Sequence, residues 1–329
     1  MTAERMAVAT RPGGAAHGGQ QTTAGTKLAS GARAPRRSLS TERRQALAGY
    51  LFIAPAMLIF FVFTLLPVAY ALFLSFTNYD VFTRMDWIGA ANYQDVFDDE
   101  LFWQALQNTL TYTVWSIPLS MAIGLGLAVL LNQKLRGLGI YRTVYYVPVV
   151  TSMVAVAMIW IQLFDPLYGV LSNALEGLGL KNIDWLGDPK LAMPSIIAVS
   201  VWKVVGWNML IYLAGLQGIP ETLKEAAAID GASRWQSFRS ITLPLLQPTT
   251  FFIFVTSLIG AFQVFDQVYV MTRGGPANAT TTLVHQIYKA AFVAFDMGYA
   301  SAMSFVLFAI ILVVSLLSMR ALRSEVAYQ

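Results

Sequence analysis

Apolar positions in this chain come in long blocks. Six stretches carry no charged residue, at 45–79, 101–133, 143–164, 204–220, 240–265 and 297–319. Nearly all reach the roughly 20 apolar residues with which a helix crosses a bilayer. They predict spans at about 47–76, 105–131, 143–164, 193–217, 249–271 and 298–319. Lys203 interrupts the fourth, whose place rests on topology, because an even number of spans keeps the basic segments on one side. The chain therefore reads as an all-α membrane protein with six transmembrane helices. Proline recurs within or beside the spans, at Pro55, Pro67, Pro118, Pro148, Pro194 and Pro248. Bundles tolerate it where neighbours satisfy the freed carbonyls.

Outside the spans, residues 1–46 are rich in Gly, Ala, Thr, Ser and Arg without apolar periodicity. They read as a disordered basic tail that buries too little surface to order itself. Arg36-Arg37 suggests a twin-arginine signal, but the uncharged run that follows has 35 residues, against about 7–15 in a signal's apolar core. Residues 47–320 form the transmembrane domain and 321–329 a short C-terminal tail. Lys and Arg number sixteen in the two tails and the 132–142 and 218–248 loops, against five in the other loops, the first of which is acidic. Both termini and the two basic loops are thus expected in the cytoplasm.

Composition agrees, with 56% hydrophobic and 12% charged residues among 329 and a mean hydropathy of +0.57. An ordinary cytosolic enzyme carries about twice that charge. The net charge of +4 belongs to the cytoplasmic loops and calls for no nucleic acid. Cysteine is absent, and the two histidines, His17 and His285, lie far apart. Thiolate, metal and general-base chemistry have little to stand on, and no catalytic residue is expected.

The 218–248 loop is unusually structured. Pro220 suits a helix's first turn, Glu221 and Glu225 sit near its positive end, and Gly231 fits a C-cap. Leu223, Ala226, Ala227 and Ile229 recur at helical spacing, so one face can be buried. A second short helix, from about Ser233 to Ile241, is expected to end at Leu243-Pro244, because the residue before proline avoids the helical region.

The run Glu225-Ala226-Ala227, three residues, Gly231, nine residues, then Ile241-Thr242-Leu243-Pro244 resembles the EAA loop of ABC importer membrane subunits. With Asp230-Gly231-Ala232 and Phe238 it is similar to the carbohydrate branch. Gly89-Ala90-Ala91-Asn92-Tyr93, Asn108-Thr109, Gly274-Gly275-Pro276 and Gly298-Tyr299-Ala300-Ser301-Ala302 agree, and Arg273 before the double glycine is similar to the maltose-type first permease. The resemblance covers about residues 47–320 and implies a type I ABC importer fold. It implies a permease subunit in a bacterial or archaeal cell membrane that translocates a sugar or related polyol. Its implied partners are membrane lipid, a second permease, ATPase subunits and an extracytoplasmic solute-binding protein. It further implies that Glu225, Ala226, Ala227, Asp230, Gly231 and Ala232 couple the membrane helices to the ATPase. The chain has no Gly-rich P-loop ending in Lys-Ser/Thr. ATP and Mg then belong to the partner, and the chain itself needs no cofactor.

Polar groups within spans are costly and face a cavity or one another. Lys203, Trp207 and Asn208 lie near the middle of the fourth span, the first two on one helix face. Gln263, Asp266 and Gln267 fall at i, i+3 and i+4 in the fifth, a lining suited to sugar hydroxyls. A buried Lys203–Asp266 ion pair is the structural alternative. An ion-coupled secondary transporter is the functional one, and it predicts inverted repeats between the halves; none is evident. Asn278-Ala279-Thr280 has the glycosylation pattern, a triplet that often occurs by chance and that a bacterial chain rarely uses, and His285 reads as a solvated or docking residue of an outer loop.

Overall fold

The computed structural model describes residues 39–82, 84–133, 137–176 and 183–326. The tail through residue 38, with His17, and the loop cations Lys134, Arg136 and Lys181 lie outside the described residues. The chain divides into two units, Met1–Phe60 and Phe61–Gln329.

The described part of the first unit is helix α1, Leu39–Phe60. It begins eight residues before the expected span, inside the stretch read as a disordered tail. Glu42-Arg43-Arg44-Gln45-Ala46 are all strong helix formers, and bulk composition hides that local preference.

The second unit opens with a π-turn at Phe61–Leu65 and α2, Leu66–Leu74. It continues through α3 (Ala91–Asp98), α4 (Glu100–Leu131), α5 (Leu138–Val150), α6 (Met153–Leu163), α7 (Val170–Glu176) and α8 (Ala192–Gln217). Next come α9 (Glu221–Ile229), α10 (Arg234–Ser237), a π-turn at Phe238–Thr242, α11 (Leu243–Leu245) and α12 (Gln247–Phe262). The last elements are α13 (Asp266–Met271), α14 (Leu283–Tyr288), a π-turn at Lys289–Val293, and α15 (Met297–Val326). Among the described residues the only extended pairing is one isolated bridge between Thr77 and Trp87.

Among the described residues four helices are long and apolar enough to span a bilayer, Gln45–Leu74, Glu100–Leu131, Ala192–Gln217 and Met297–Arg320. The expected third and fifth spans are instead bent pairs. α5 meets α6 at 99°, and the Arg234–Leu245 segment meets α12 at 61°. α15 runs on to Val326, so the expected C-terminal tail is helical over most of its length. The helix begun at Arg234 continues past Leu243-Pro244, where an end was expected. The π-turn at Phe238–Thr242 widens the chain just before Pro244, whose ring cannot sit above the carbonyl four residues back in a tight α-turn. The π-turn at Phe61–Leu65 precedes Pro67 in the same way.

The centre of this unit is the α4–α8 pair. Tyr112 and Ile117 of α4 and Ile196, Val199, Met209 and Tyr212 of α8 are buried. The helices touch closely at Gly124, where a Cβ would stand 2.7 Å from the Asn208 Cβ. Large apolar residues such as Trp115, Leu130 and Phe308 stay exposed, as suits helices that face hydrocarbon.

At one end of the bundle, motifs far apart in sequence meet. Asn108 Nδ2 donates to the carbonyls of Asn278 and Thr281, each at 2.9 Å, and the Leu283 N–H donates to Thr109 Oγ1 at 3.0 Å. Asn92 Nδ2 donates to the carbonyls of Ser75 at 2.9 Å and Thr77 at 2.8 Å. Gly298 packs against that same Thr77 carbonyl oxygen, where a Cβ would collide. Tyr299 Oη donates to Asp99 at 2.7 Å.

Candidate functional site

The 218–248 loop is built from local signals. α9 starts at Glu221 after Pro220, and Gly231 at φ +81° closes it. Its N–H donates to Ala228 at 3.1 Å and that of Ala232 to Ala227 at 2.9 Å, the paired bonds of a Schellman cap. Ser233 then opens α10 through a capping box with Gln236. Ala227 is the one buried residue of α9; Leu223 and Ile229 are exposed, as is Trp235 beyond it. Of the four apolar positions expected on one face, Ala227 is thus covered, while Leu223, Ala226 and Ile229 stay uncovered within this chain. Glu225, Ala226, Asp230 and Gly231 are also exposed, and Ala232 is half-buried.

A cavity of about 310 Å³ opens midway along α4 and α8 and beside the last two turns of α12. Its polar lining comes from Tyr112, Ser116 and Ser120 of α4, Ser200 and Lys203 of α8, Thr256 and Ser257 of α12, and Gln267. Trp207 and Gly260 line it too. Of the six residues expected to face a substrate, Lys203, Trp207 and Gln267 come together here.

The other three do not. Asn208 turns toward α4 and is fully buried, and its amide atoms find no hydrogen-bond partner among the described residues. Gln263 and Asp266 are exposed. The expected polar stripe fails because α12 ends at Phe262, Gln263 caps it, and Phe265 leaves the helical region at φ −141° before α13 begins. Nor does Lys203 form the ion pair with Asp266 that was its structural alternative: its Nζ donates to the carbonyls of Pro148, Val149 and Thr151 at 3.0, 3.4 and 2.7 Å.

Gln267 fixes one wall of the cavity. Its Nε2 donates to Tyr112 Oη at 3.0 Å and Ser200 Oγ at 3.1 Å. Gln267→Leu removes both bonds and is expected to destabilise the assembled protein by about 1–3 kcal/mol while raising the KM for transport. Thermal melting together with uptake kinetics checks this, and unchanged values in both show the bridge to be idle. The lining hydroxyls were missed from sequence, although Tyr112, Ser116 and Ser120 recur every four residues in an apolar span. That spacing was the available signal.

The segment that carries the glycosylation pattern corrects one further expectation, that of His285. Thr280 of the glycosylation pattern is fully buried and its Oγ1 donates to the Gly275 carbonyl at 2.7 Å. His285 is 2% exposed and not solvated. It packs beside Phe265 and Tyr269 and lies so near Gly274 that a Cβ there would stand 2.6 Å from its Cε1. Burial, and after it the Lys289 charge, hold the imidazole below its ordinary 6.5, so the folded protein keeps it neutral. Below about pH 6.5 the unfolded chain binds a proton that the fold refuses, and stability falls as the pH drops through that value. Melting temperature measured from about pH 7 down to about pH 5 should fall, and less steeply in His285→Phe. Equal slopes overturn the assignment.

Residues 116–324 match the profile of a family described as the binding-protein-dependent transport system inner membrane component. The chain is 41% identical over 304 residues to the probable ABC transporter permease protein YesP of Bacillus subtilis (strain 168), covering 91% of this chain and 97% of that one. It is 39% identical over 293 residues to the lactose transport system permease protein LacF of Rhizobium radiobacter, covering 87% and 97%. Among solved structures it is similar to a chain of a bacterial ABC transporter involved in the import of the acidic polysaccharide alginate. That match has a TM-score of 0.77 and 26% identity and covers 87% of this chain and 98% of that one.

Proposed function

The chain belongs to the family of binding-protein-dependent transport system inner membrane components, and from that premise we propose that it is a permease subunit passing a sugar or related polyol across the cell membrane. The observation that carries this reading is the cavity between α4, α8 and the last turns of α12. Its volume stands at the lower end of the roughly 300–1,000 Å³ of small-molecule sites. Hydroxyls from Tyr112, Ser116, Ser200 and Ser257 and the Trp207 ring suit a ligand that presents many hydroxyls and an apolar ring face. The lactose and alginate named for its relatives support the carbohydrate class.

ATP hydrolysis belongs to a partner subunit, which docks on the cytoplasmic surface formed by Glu225, Ala226, Ala227, Asp230, Gly231 and Ala232. α8 runs unbroken from the cavity to Gln217, and three residues join it to α9. A push on α9 is thereby delivered to the cavity wall. A solute-binding protein presents the sugar on the outer side, a second permease completes the pathway, and both termini of this chain lie in the cytoplasm. Bent pairs that each count as one crossing make six spans, the even number this topology needs.

Reconstitution in vesicles tests the proposal. Sugar uptake is expected to require ATP and all partners together. Uptake by the purified chain alone, driven by an ion gradient, overturns it.

A further inference from the structure

A helix that ends leaves its last carbonyls without intrahelical donors, and hydrocarbon offers no water to replace them. The break between α5 and α6 is such a place: Thr151 turns extended at φ −77°, ψ 150°, and α6 departs at 99°. Thr151 Oγ1 donates back to the Pro148 carbonyl at 2.6 Å. The other donor at the break comes from a different helix, because Lys203 Nζ of α8 reaches the Pro148, Val149 and Thr151 carbonyls. An ammonium has three N–H groups, and all three point at the break. Its charge also suits the negative end of the α5 dipole.

The same two helices touch at a second point. One turn beyond Lys203, Gly206 brings α8 so near α5 that a Cβ would collide with the Tyr145 carbonyl oxygen. A hydrogen-bonded clamp and a backbone contact one turn apart fix both the separation and the rotation of α5 on α8. Met153, the first residue of α6, lines the cavity.

We propose that Lys203 is a positioning residue, a cationic strut that fastens the α5–α6 break to α8 so that a displacement of α8 carries the Met153 wall of the cavity with it. This deepens the transport function proposed above and rests on it for the source of the displacement. It also removes the Lys203 ammonium from the groups free to bind a substrate, since its donors are already directed at backbone.

The chain contains no cysteine, so labels can be placed at will. Val150 of α5 and Ala214 of α8 are both exposed. Val150→Cys and Ala214→Cys are spin-labelled in the full complex with cysteine-free partners, and their separation is measured without nucleotide and with trapped ATP. With Lys203 in place, one narrow distance is expected in both states. K203M is expected to broaden it and to lower the maximal uptake rate about tenfold with KM changed less than about twofold. K203R is expected to restore both, because a guanidinium also donates to carbonyls.

A distance that changes between states with Lys203 present, or one that stays narrow in K203M, overturns the strut. So does a rise in KM at full rate, which makes Lys203 a substrate ligand. Should K203M fail to assemble, K203Q, with two N–H groups, is expected to give intermediate broadening, and a distance unchanged from Lys203 overturns the strut. The distance needs no substrate. If filling the cavity leaves uptake intact while K203M still broadens the distance, the cavity reading falls and the strut stands.

Discussion

Gly231→Leu is expected to abolish ATP-driven uptake while the transmembrane helices insert and pack normally. Space is not the reason, because a Cβ at Gly231 meets nothing within 4 Å. The backbone is: φ is +81°, a region where an L side chain costs about 1–2 kcal/mol. Leucine relieves that strain by leaving the left-handed region, which breaks the Gly231–Ala228 and Ala232–Ala227 bonds that close α9. The direction in which the chain enters the Ser233 capping box then changes, and α9 no longer presents Glu225, Ala226 and Asp230 in one fixed arrangement. Gly231→Asn should keep most of the activity, because asparagine tolerates the left-handed region. Co-purification of the ATPase and vesicle uptake measure the outcome, and normal uptake by the leucine variant overturns the coupling role of this turn.

Gly260→Leu is expected to cut uptake by about two orders of magnitude through filling a site of substrate size. Gly260 lies inside α12 and lines the cavity, and a Cβ there also meets open space. Glycine within a helix costs about 1 kcal/mol relative to alanine, so the replacement strengthens α12, and misfolding does not account for the loss. A variant that melts no lower than the parent yet transports nothing places the substrate path at this cavity. Full transport moves the path elsewhere.

Two spans could be read closely from their uncharged length, and a third, interrupted by Lys203, from topology. The pattern predicts 105–131, 193–217 and 298–319, and the helices are Glu100–Leu131, Ala192–Gln217 and Met297–Arg320. The start of α4 was set late because Asp99 and Glu100 look like acidic loop, whereas the Asp99 carboxylate accepts the Leu101 N–H at 2.8 Å and caps the helix. The breaks were harder. No glycine or proline marks Gln263–Phe265, and the freed Val264 carbonyl is satisfied from afar by Thr282 Oγ1 at 2.9 Å. Pro148 foretells a disturbance in α5, but the angle depends on Lys203, 55 residues later. In the 218–248 loop, Pro220, Gly231 and Ser233 act through neighbours within a few residues and were legible. Lys203 drew notice for its charge, and which partner it chose was a matter of tertiary packing.

The long-range bonds at the start of α4 also bear on how this protein is made. Asn108 finds its acceptors about 170 residues later, at Asn278 and Thr281, and Asp99 receives the Tyr299 hydroxyl 200 residues on. At a synthesis rate of about 5–20 residues per second, that is a wait of roughly 10 to 40 seconds. During it the first half of α4 has only its local bonds, such as that of Thr109 Oγ1 to the Ala105 carbonyl, and the Asn108 amide lacks these acceptors. Any arrest of translation before residue 283 leaves Thr109 without its Leu283 donor. α4 is inserted early but locked late, and this end of the bundle acquires its final shape only as the last third of the chain emerges.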